Sequence, residues 1–312
     1  MDIEKLLKQM TLEEKIGQLL QCGTSIYRDH EEIKWDMVRK GKIGAFLYIR
    51  DAETANELQH VAVEKSRLGI PLIFGDDIIH GLYTIFPLPA AEACSWEPEL
   101  ARRTAEISAK ESRASGIHWT FAPMVDVARD ARWGRNIEGA GEDPYLASEF
   151  ASARVKGFQG DDISSDDHIA ACAKHFAGYG ACIGGRDYNS AEMSNQTLYD
   201  VHLPPFKSAI DAGVATVMSA FHDLNGIPCT GNKWLLTNVL REEMGFRGML
   251  VSDAGAVDQL QMHGFTKDEY DTAYKAMDAG VDMEMSTFTF NNCMKSLIED
   301  KKISEKKLDE AV

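Results

Sequence analysis

Apolar runs of strand length that close on a polar or charged residue recur along this chain, separated by stretches with helical periodicity. Ile70 to Asp77 (IPLIFGDD) closes on Asp77, Ile169 to His175 (IAACAKH) on Lys174 and His175, and GMLVSDAGA on Asp253. His118 to Asp126 (HWTFAPMVD) leads into an arginine-rich loop, and Ala215 to Phe221 (ATVMSAF) carries Met218. Strands that alternate with helices build a parallel barrel, and the C-terminal strand ends of such a barrel open onto one mouth, where an active site sits. Residues spread over much of the sequence then face one pocket.

Further strands are expected at Leu19 to Cys22, Ile43 to Ile49 and Val281 to Met285, which with the five runs above, the last of them Met249 to Asp253, brings the count to about eight, the number of a closed barrel. Helical patterns fill the intervals, as at Glu99 to Ser115 and Tyr145 to Phe158. Thr11 and Glu14 form a capping box ahead of TLEEKIGQLLQ, and Asp143-Pro144 and Glu97-Pro98 place proline at a first helical position. A (β/α)8 barrel of about 250 residues with insertions accommodates 312 residues as one domain. After Asn291 to Glu299 a new helix is expected from Ser304, with Leu308 and Val312 on one face. The chain stops there without a cap, which reads as a barrel cut off in mid-helix with a second domain to follow.

The balance of 33 basic against 49 acidic residues gives a formal charge of -16, which repels phosphate backbones and anionic lipid surfaces, so neither nucleic acid nor a membrane is an expected partner. No stretch approaches the ~20 apolar residues of a membrane span. The start MDIEKLLKQM lacks the features of a signal peptide, so the chain as it stands reads as cytoplasmic. Six cysteines (Cys22, Cys94, Cys172, Cys182, Cys229, Cys293) show no C-x-x-C pairing and read as buried reduced thiols; no metal or cofactor is expected.

The strings GDDIIHG, FAPMVDVARDARWGRNIEGAGEDPY, KHFAGYG with GGRDYN, TVMSAFHDLNGIP, LREEMGFRGMLVSDAGA and AGVDMEMS, in this order, resemble the N-terminal catalytic domain of glycoside hydrolase family 3, most closely its β-glucosidase branch. The resemblance implies a retaining, exo-acting β-glycosidase acting on β-glucosides or short β-linked gluco-oligosaccharides. It matches Asp253 to the family's nucleophile, Asp77, Arg135 and Lys174-His175 to its glycone-binding set, and Met218 and Phe221 to its pocket wall. The N-acetylglucosaminidase branch carries its acid as a histidine in the loop after K-H-F; Tyr179 stands there instead. In the β-glucosidase branch the acid is a glutamate from a second domain, and the resemblance implies that this chain alone holds half of a site. Ala254 replaces the tryptophan that many relatives carry after the nucleophile, which leaves the aglycone side open.

The residue types agree with that chemistry. A retaining glycosidase needs one carboxylate as nucleophile and a second carboxyl ~5 Å away as acid and then base. Adjacent sugar hydroxyls are gripped by charged groups, Asp77 accepting and Lys174, His175 and Arg135 donating, while Lys174 and Arg135 are expected to keep Asp253 ionised.

Plainer readings stand beside these. Asp253 also reads as a helix N-cap, Lys174 and His175 as a surface pair, and Met218 as core. Trp133 either packs beneath its loop or stacks on a sugar, His80 and Gly81 read as a braced turn, and Asp76 either modifies hydroxyl recognition or faces away. Three other functions remain open: β-xylosidase specificity, a Schiff-base aldolase using Lys174, and a non-catalytic sugar-binding or assembly barrel, for which an apolar surface favouring a homodimer is expected.

Overall fold

A computed structural model describes residues 2–23 and 31–312. Eight parallel strands follow one another around a ring: β1 (Leu20–Cys22), β2 (Ala45–Leu47), β3 (Ile73–Asp76), β4 (Trp119–Thr120), β5 (Cys172–Phe176), β6 (Thr216–Ser219), β9 (Met249–Ala254) and β10 (Met283–Met285), with β10 paired back to β1. A short antiparallel hairpin, β7 (Asp223–Leu224) and β8 (Ile227–Pro228), lies outside the ring. The ring closes between the β4 and β5 segments, where Trp119 bridges Ala170 and Met124 bridges Lys174. Hydrogen bonds of 2.8 Å run there from Thr120 N–H to the Ala170 carbonyl, from Cys172 N–H to that of Ala122, and from Val125 N–H to that of Lys174.

The expected (β/α)8 barrel is present, with strands shorter than their apolar runs. The run His118 to Asp126 forms a strand of only two residues, because Pro123 brings no N–H to the ladder; beyond it the chain continues along β5 through isolated bridges.

Strand alternation sorts the core into two layers. Phe46 and Phe74 face outward and pack with Leu58 and Val61 of helix Ala52–Lys65. Ala45, Leu47, Trp119, Phe121, Cys172, Met218, Val251, Met283 and Met285 fill the barrel interior. Gly75 makes room for this filling, since a Cβ there would lie 2.7 Å from Phe121 Cζ. Burying a ring the size of Phe121 contributes roughly 1.5–3 kcal/mol, and the Gly75→Ala change would push it aside. Two residues beyond Gly75, Cys172 and Val251, on the same face of each strand, stand Asp77, Lys174 and Asp253.

Helix starts follow the expected chemistry. Thr11 Oγ1 accepts from Glu14 N–H at 3.2 Å while Glu14 Oε2 accepts from Thr11 N–H at 2.8 Å, and Asp143 Oδ1 accepts from Leu146 N–H at 2.7 Å. Glu97 makes no side-chain cap. Helices Pro98–Ala114 and Pro144–Gln159 pack together, and buried Arg154 of the second pairs with Glu92 and donates to the Ile79 carbonyl at 3.0 Å, bracing the chain that follows β3. Ser304 caps the helix Glu305–Ala311, whose Leu308 is buried while Val312 is exposed. Cys172, Cys182 and Cys229 are buried as expected; Cys94 is exposed at the end of the short helix Pro89–Ala93. Among the described residues no helix is long and apolar enough to cross a membrane.

Candidate active site

At the C-terminal end of β3 the two neighbouring aspartates point opposite ways, as alternation demands. Asp76 is fully buried and held by Arg50, at 2.5 Å to Nε and 2.8 Å to Nη2, so it takes the outward-facing alternative. Asp77 turns into the mouth. Its Oδ1 accepts from Lys174 Nζ at 2.6 Å and its Oδ2 from the Tyr48 hydroxyl at 2.6 Å. Burial raises the Asp77 pKa, but the charge and hydrogen bond of Lys174, the Tyr48 hydroxyl and Arg135 outweigh it and hold the carboxyl below its ordinary value. Lys174 is buried, which removes the surface-pair reading.

Tyr48 follows β2 with a left-handed backbone, φ 65°, and lines the cavity. A bulky residue held there is unusual enough to mark a constrained site. Burial, then the Asp77 charge, raises the pKa of its hydroxyl far above the ordinary value, so it remains a donor.

Asp253 ends the buried part of β9. Its Oδ1 accepts from Ala254 N–H at 2.8 Å, while its Oδ2 has no hydrogen-bond partner and lies 3.4 Å from His175 Nε2. Burial pushes its pKa up to about 6, and Lys174, the Ala254 amide and Arg135 offset only part of that rise. Lys174 and Arg135 act in the expected sense, toward the ionised form, but burial sets the direction of the shift. His175 is fully buried behind Asp253, and its Nδ1 lies 2.8 Å from Asp126 Oδ2. Both Lys174 and His175 reach this cluster because the β5–β6 register shifts between Ala173 and Phe176, breaking simple alternation.

Arg135, in the loop between β4 and helix Pro144–Gln159, makes a two-pronged pair with Glu138: Nε to Oε1 at 2.7 Å and Nη2 to Oε2 at 2.9 Å. Burial works against its charge, but Glu138 and then Asp253 and Asp126 hold it firmly protonated. Arg132 instead pairs with Asp130 on the exposed side of the loop, so the arginines divide between site and scaffold.

Together Asp77, Arg135, Lys174 and Asp253 line a cavity of about 310 Å3, at the small end of the ~300–1,000 Å3 of ligand sites. Met218 lies on its floor with Leu47, Phe121 and Met285. Phe221 and His175 are not among the lining residues; the Phe221 ring packs on Tyr188 and Tyr179, at 4.8 and 6.1 Å between centroids. Trp133 is buried, donating from Nε1 to Asp187 at 3.0 Å and lying edge-on to Tyr179, so it packs beneath the loop and shows no face to a sugar. His80 Nδ1 lies 3.1 Å from the Phe86 carbonyl and Gly81 takes φ 109°, the braced turn. Sequence reasoning missed Tyr48, whose backbone is invisible in the string, and treated Asp126 only as a strand end.

Residues 11–312 match the family model described as glycosyl hydrolase family 3 N terminal domain. The chain belongs to this family. It is 40% identical over 309 residues to a periplasmic beta-glucosidase of Salmonella typhimurium, a match that takes in 99% of this chain and 40% of that protein. A beta-xylosidase of Formosa agariphila is 40% identical over 247 residues, covering 75% of this chain and 34% of the relative. Among solved structures, the beta-glucosidase of Listeria innocua in complex with isofagomine superposes with a TM-score of 0.93 at 44% identity, over 99% of this chain and 44% of that one. The same Listeria enzyme in complex with glucose gives 0.94 at 43%. This family 3 barrel therefore spans less than half the length of each of these relatives.

Proposed function

We propose that this barrel is the glycone-binding and nucleophile-bearing part of a retaining, exo-acting β-glycosidase of β-glucosidase type. The observation that carries this reading is the buried Asp253 carboxylate in the wall of a small cavity, surrounded by Lys174, Arg135 and Asp77. Asp253 attacks the anomeric carbon and forms a glycosyl ester, while Asp77 and Lys174 grip neighbouring hydroxyls and Arg135 offsets the charge of the site. Met218 gives the sugar an apolar floor, His175 supports Asp253 from behind, and Phe221 supports the wall one layer out.

The acid that protonates the leaving group is proposed to come from outside these residues. Of the carboxyls around the cavity, Asp77 is tied to Lys174 and Tyr48, Glu138 to Arg135, and Asp76 to Arg50, while Asp126 is wholly buried. Among the described residues each of these carboxyls is already engaged or buried, and the shorter length relative to the Salmonella and Listeria proteins supports a donor on a further domain. General acid catalysis commonly contributes ~10²–10⁴-fold, so this chain would turn over activated aryl glycosides slowly and unactivated disaccharides scarcely at all. The aldolase alternative is disfavoured, because the Lys174 ammonium is engaged by Asp77 and a Schiff-base lysine needs a free amine.

Intact-mass analysis after incubation with 2-deoxy-2-fluoro-β-glucosyl fluoride, with peptide mapping, tests the reading, since fluoride leaves without an acid. Labelling at Asp253 is expected. A matched xylosyl probe separates glucosidase from xylosidase preference. An unlabelled chain that still binds isofagomine would mean a sugar-binding barrel without a competent nucleophile.

A further inference from the structure

Asp126 is a buried carboxyl that the mechanism above leaves unused. Its Oδ2 accepts from the His175 backbone N–H at 3.0 Å and stands 2.8 Å from His175 Nδ1, while its Oδ1 has no partner. Across the imidazole, Nε2 lies 3.4 Å from Asp253 Oδ2, and neither of those buried atoms has a hydrogen-bond partner elsewhere. Asp126, His175 and Asp253 therefore form one line with two contacts, buried at Asp126 and His175 and meeting the cavity only at Asp253. Tyr179, edge-on at 5.2 Å between ring centroids, packs against the imidazole.

Each contact needs one proton between its two atoms. With a single proton on the imidazole, one contact sets a lone pair against a lone pair. Two protons satisfy both, and burial disfavours placing them together on His175 as an imidazolium. The second proton then belongs to a carboxyl at one end. On Asp253 it would donate to Nε2 and block the nucleophile; on Asp126 it donates to Nδ1, Nε2–H points at Asp253, and Asp253 stays charged.

Enclosure favours the second arrangement: Asp126 is wholly buried, whereas Asp253 meets the cavity beside Lys174 and Arg135, and burial raises both carboxyls. Burial, then Arg135, Lys174 and His222, keep the imidazole neutral.

We propose that Asp126 is a positioning residue that holds the second proton of this line, so that His175 presents Nε2–H to Asp253 and Asp253 remains an ionised nucleophile. The inference rests on Asp253 being that nucleophile.

The Asp126→Asn variant tests it sharply. An Asn side chain must turn its oxygen to the His175 backbone N–H, so at the Oδ2 position it can only accept; Nδ1 is forced to carry the imidazole proton, and Nε2 offers a lone pair to Asp253. Asp253 then takes up a proton at neutral pH. Labelling of the intact chain by the 2-fluoroglucosyl fluoride is expected to slow about tenfold at pH 7, with the acid limb of its pH profile moved up by about two units. A purely structural Asp126 would tolerate this isosteric change, and a variant with the wild-type rate and limb overturns the proposal.

Nitrogen-15 spectra of the histidine-labelled wild-type chain decide it even if the variant fails to fold. His175 is expected with its proton on Nε2, and a proton on Nδ1 overturns the proposal. A wild-type chain unlabelled at Asp253 would instead sink the nucleophile reading, leaving the tautomer to be read from the spectra.

Discussion

The two ends of the barrel each set an aspartate beside a cavity, Asp253 buried and Asp282 half-buried, and loss of hydration pushes both up to about 6. At the N-terminal end, Asp282 Oδ2 accepts from Leu250 N–H at 2.7 Å and from Arg241 Nη2 at 2.5 Å, in the wall of a cavity of about 650 Å3. At the C-terminal end Asp253 has a single amide donor and an oxygen without a hydrogen-bond partner, among groups drawn from β3, β5 and the loop after β4. A shifted acidity and a nearby cavity are thus common to a brace and a candidate nucleophile. What separates them is the oxygen each leaves to its cavity: Asp282 Oδ2 takes two donors and so ties β9 to helix Trp234–Glu243, while Asp253 Oδ2 takes none.

Exchanging the two aspartates for asparagine should break the symmetry most strongly. Asp253→Asn is expected to abolish covalent labelling with little change in melting temperature, whereas Asp282→Asn should leave the labelling rate within a few-fold and lower stability by about 1–3 kcal/mol, read by denaturant melts. Equal effects of the two variants on labelling would end the distinction drawn here.

Lys174→Met comes next. It strands Asp77 in the site, and isofagomine binding by calorimetry is expected to weaken about 100-fold, in keeping with the several kcal/mol of breaking a buried pair. Unchanged affinity would remove Lys174 from the glycone set.

Lowering the pH sharpens the comparison in two directions. Labelling should fall about tenfold from its plateau by pH 5, as Asp253 takes up its proton below about 6. Stability should move oppositely. Both carboxyls have folded values above the unfolded value, so between about pH 6 and 4 the folded chain binds protons that the unfolded chain does not, and stability rises as pH falls. Asp282→Asn should flatten that rise without moving the labelling midpoint. The smallest expected effect is that of Tyr48→Phe, which leaves the ring in place, removes one donor from Asp77 and should change isofagomine affinity by about threefold to tenfold.

Much of the site could be read because interior-facing strand positions continue directly into the mouth: Cys172 leads to Lys174 and Val251 to Asp253, so apolar runs closing on charge announce it. Phe221, nominated by the family motif alone, supports the wall from one layer out. Tyr48 escaped because its placement depends on a left-handed backbone that an aromatic residue does not advertise. Asp126 escaped because its segment meets β5 only across the closure of the ring, so its proximity to His175 is a tertiary fact. The acidity of Asp253 could not be judged without knowing how completely the barrel encloses it.

The ring's closure has a consequence for how the site can be watched. Where β4 and β5 meet, backbone carbonyls accept from Thr120, Cys172 and Val125, but the amide of His175 is received by a side chain, Asp126. The last rung of the ladder is therefore ionisable. Adding or removing a proton in the pocket alters the grip on a main-chain N–H, and solvent exchange at that one amide becomes a gauge of the site's charge state that requires no substrate.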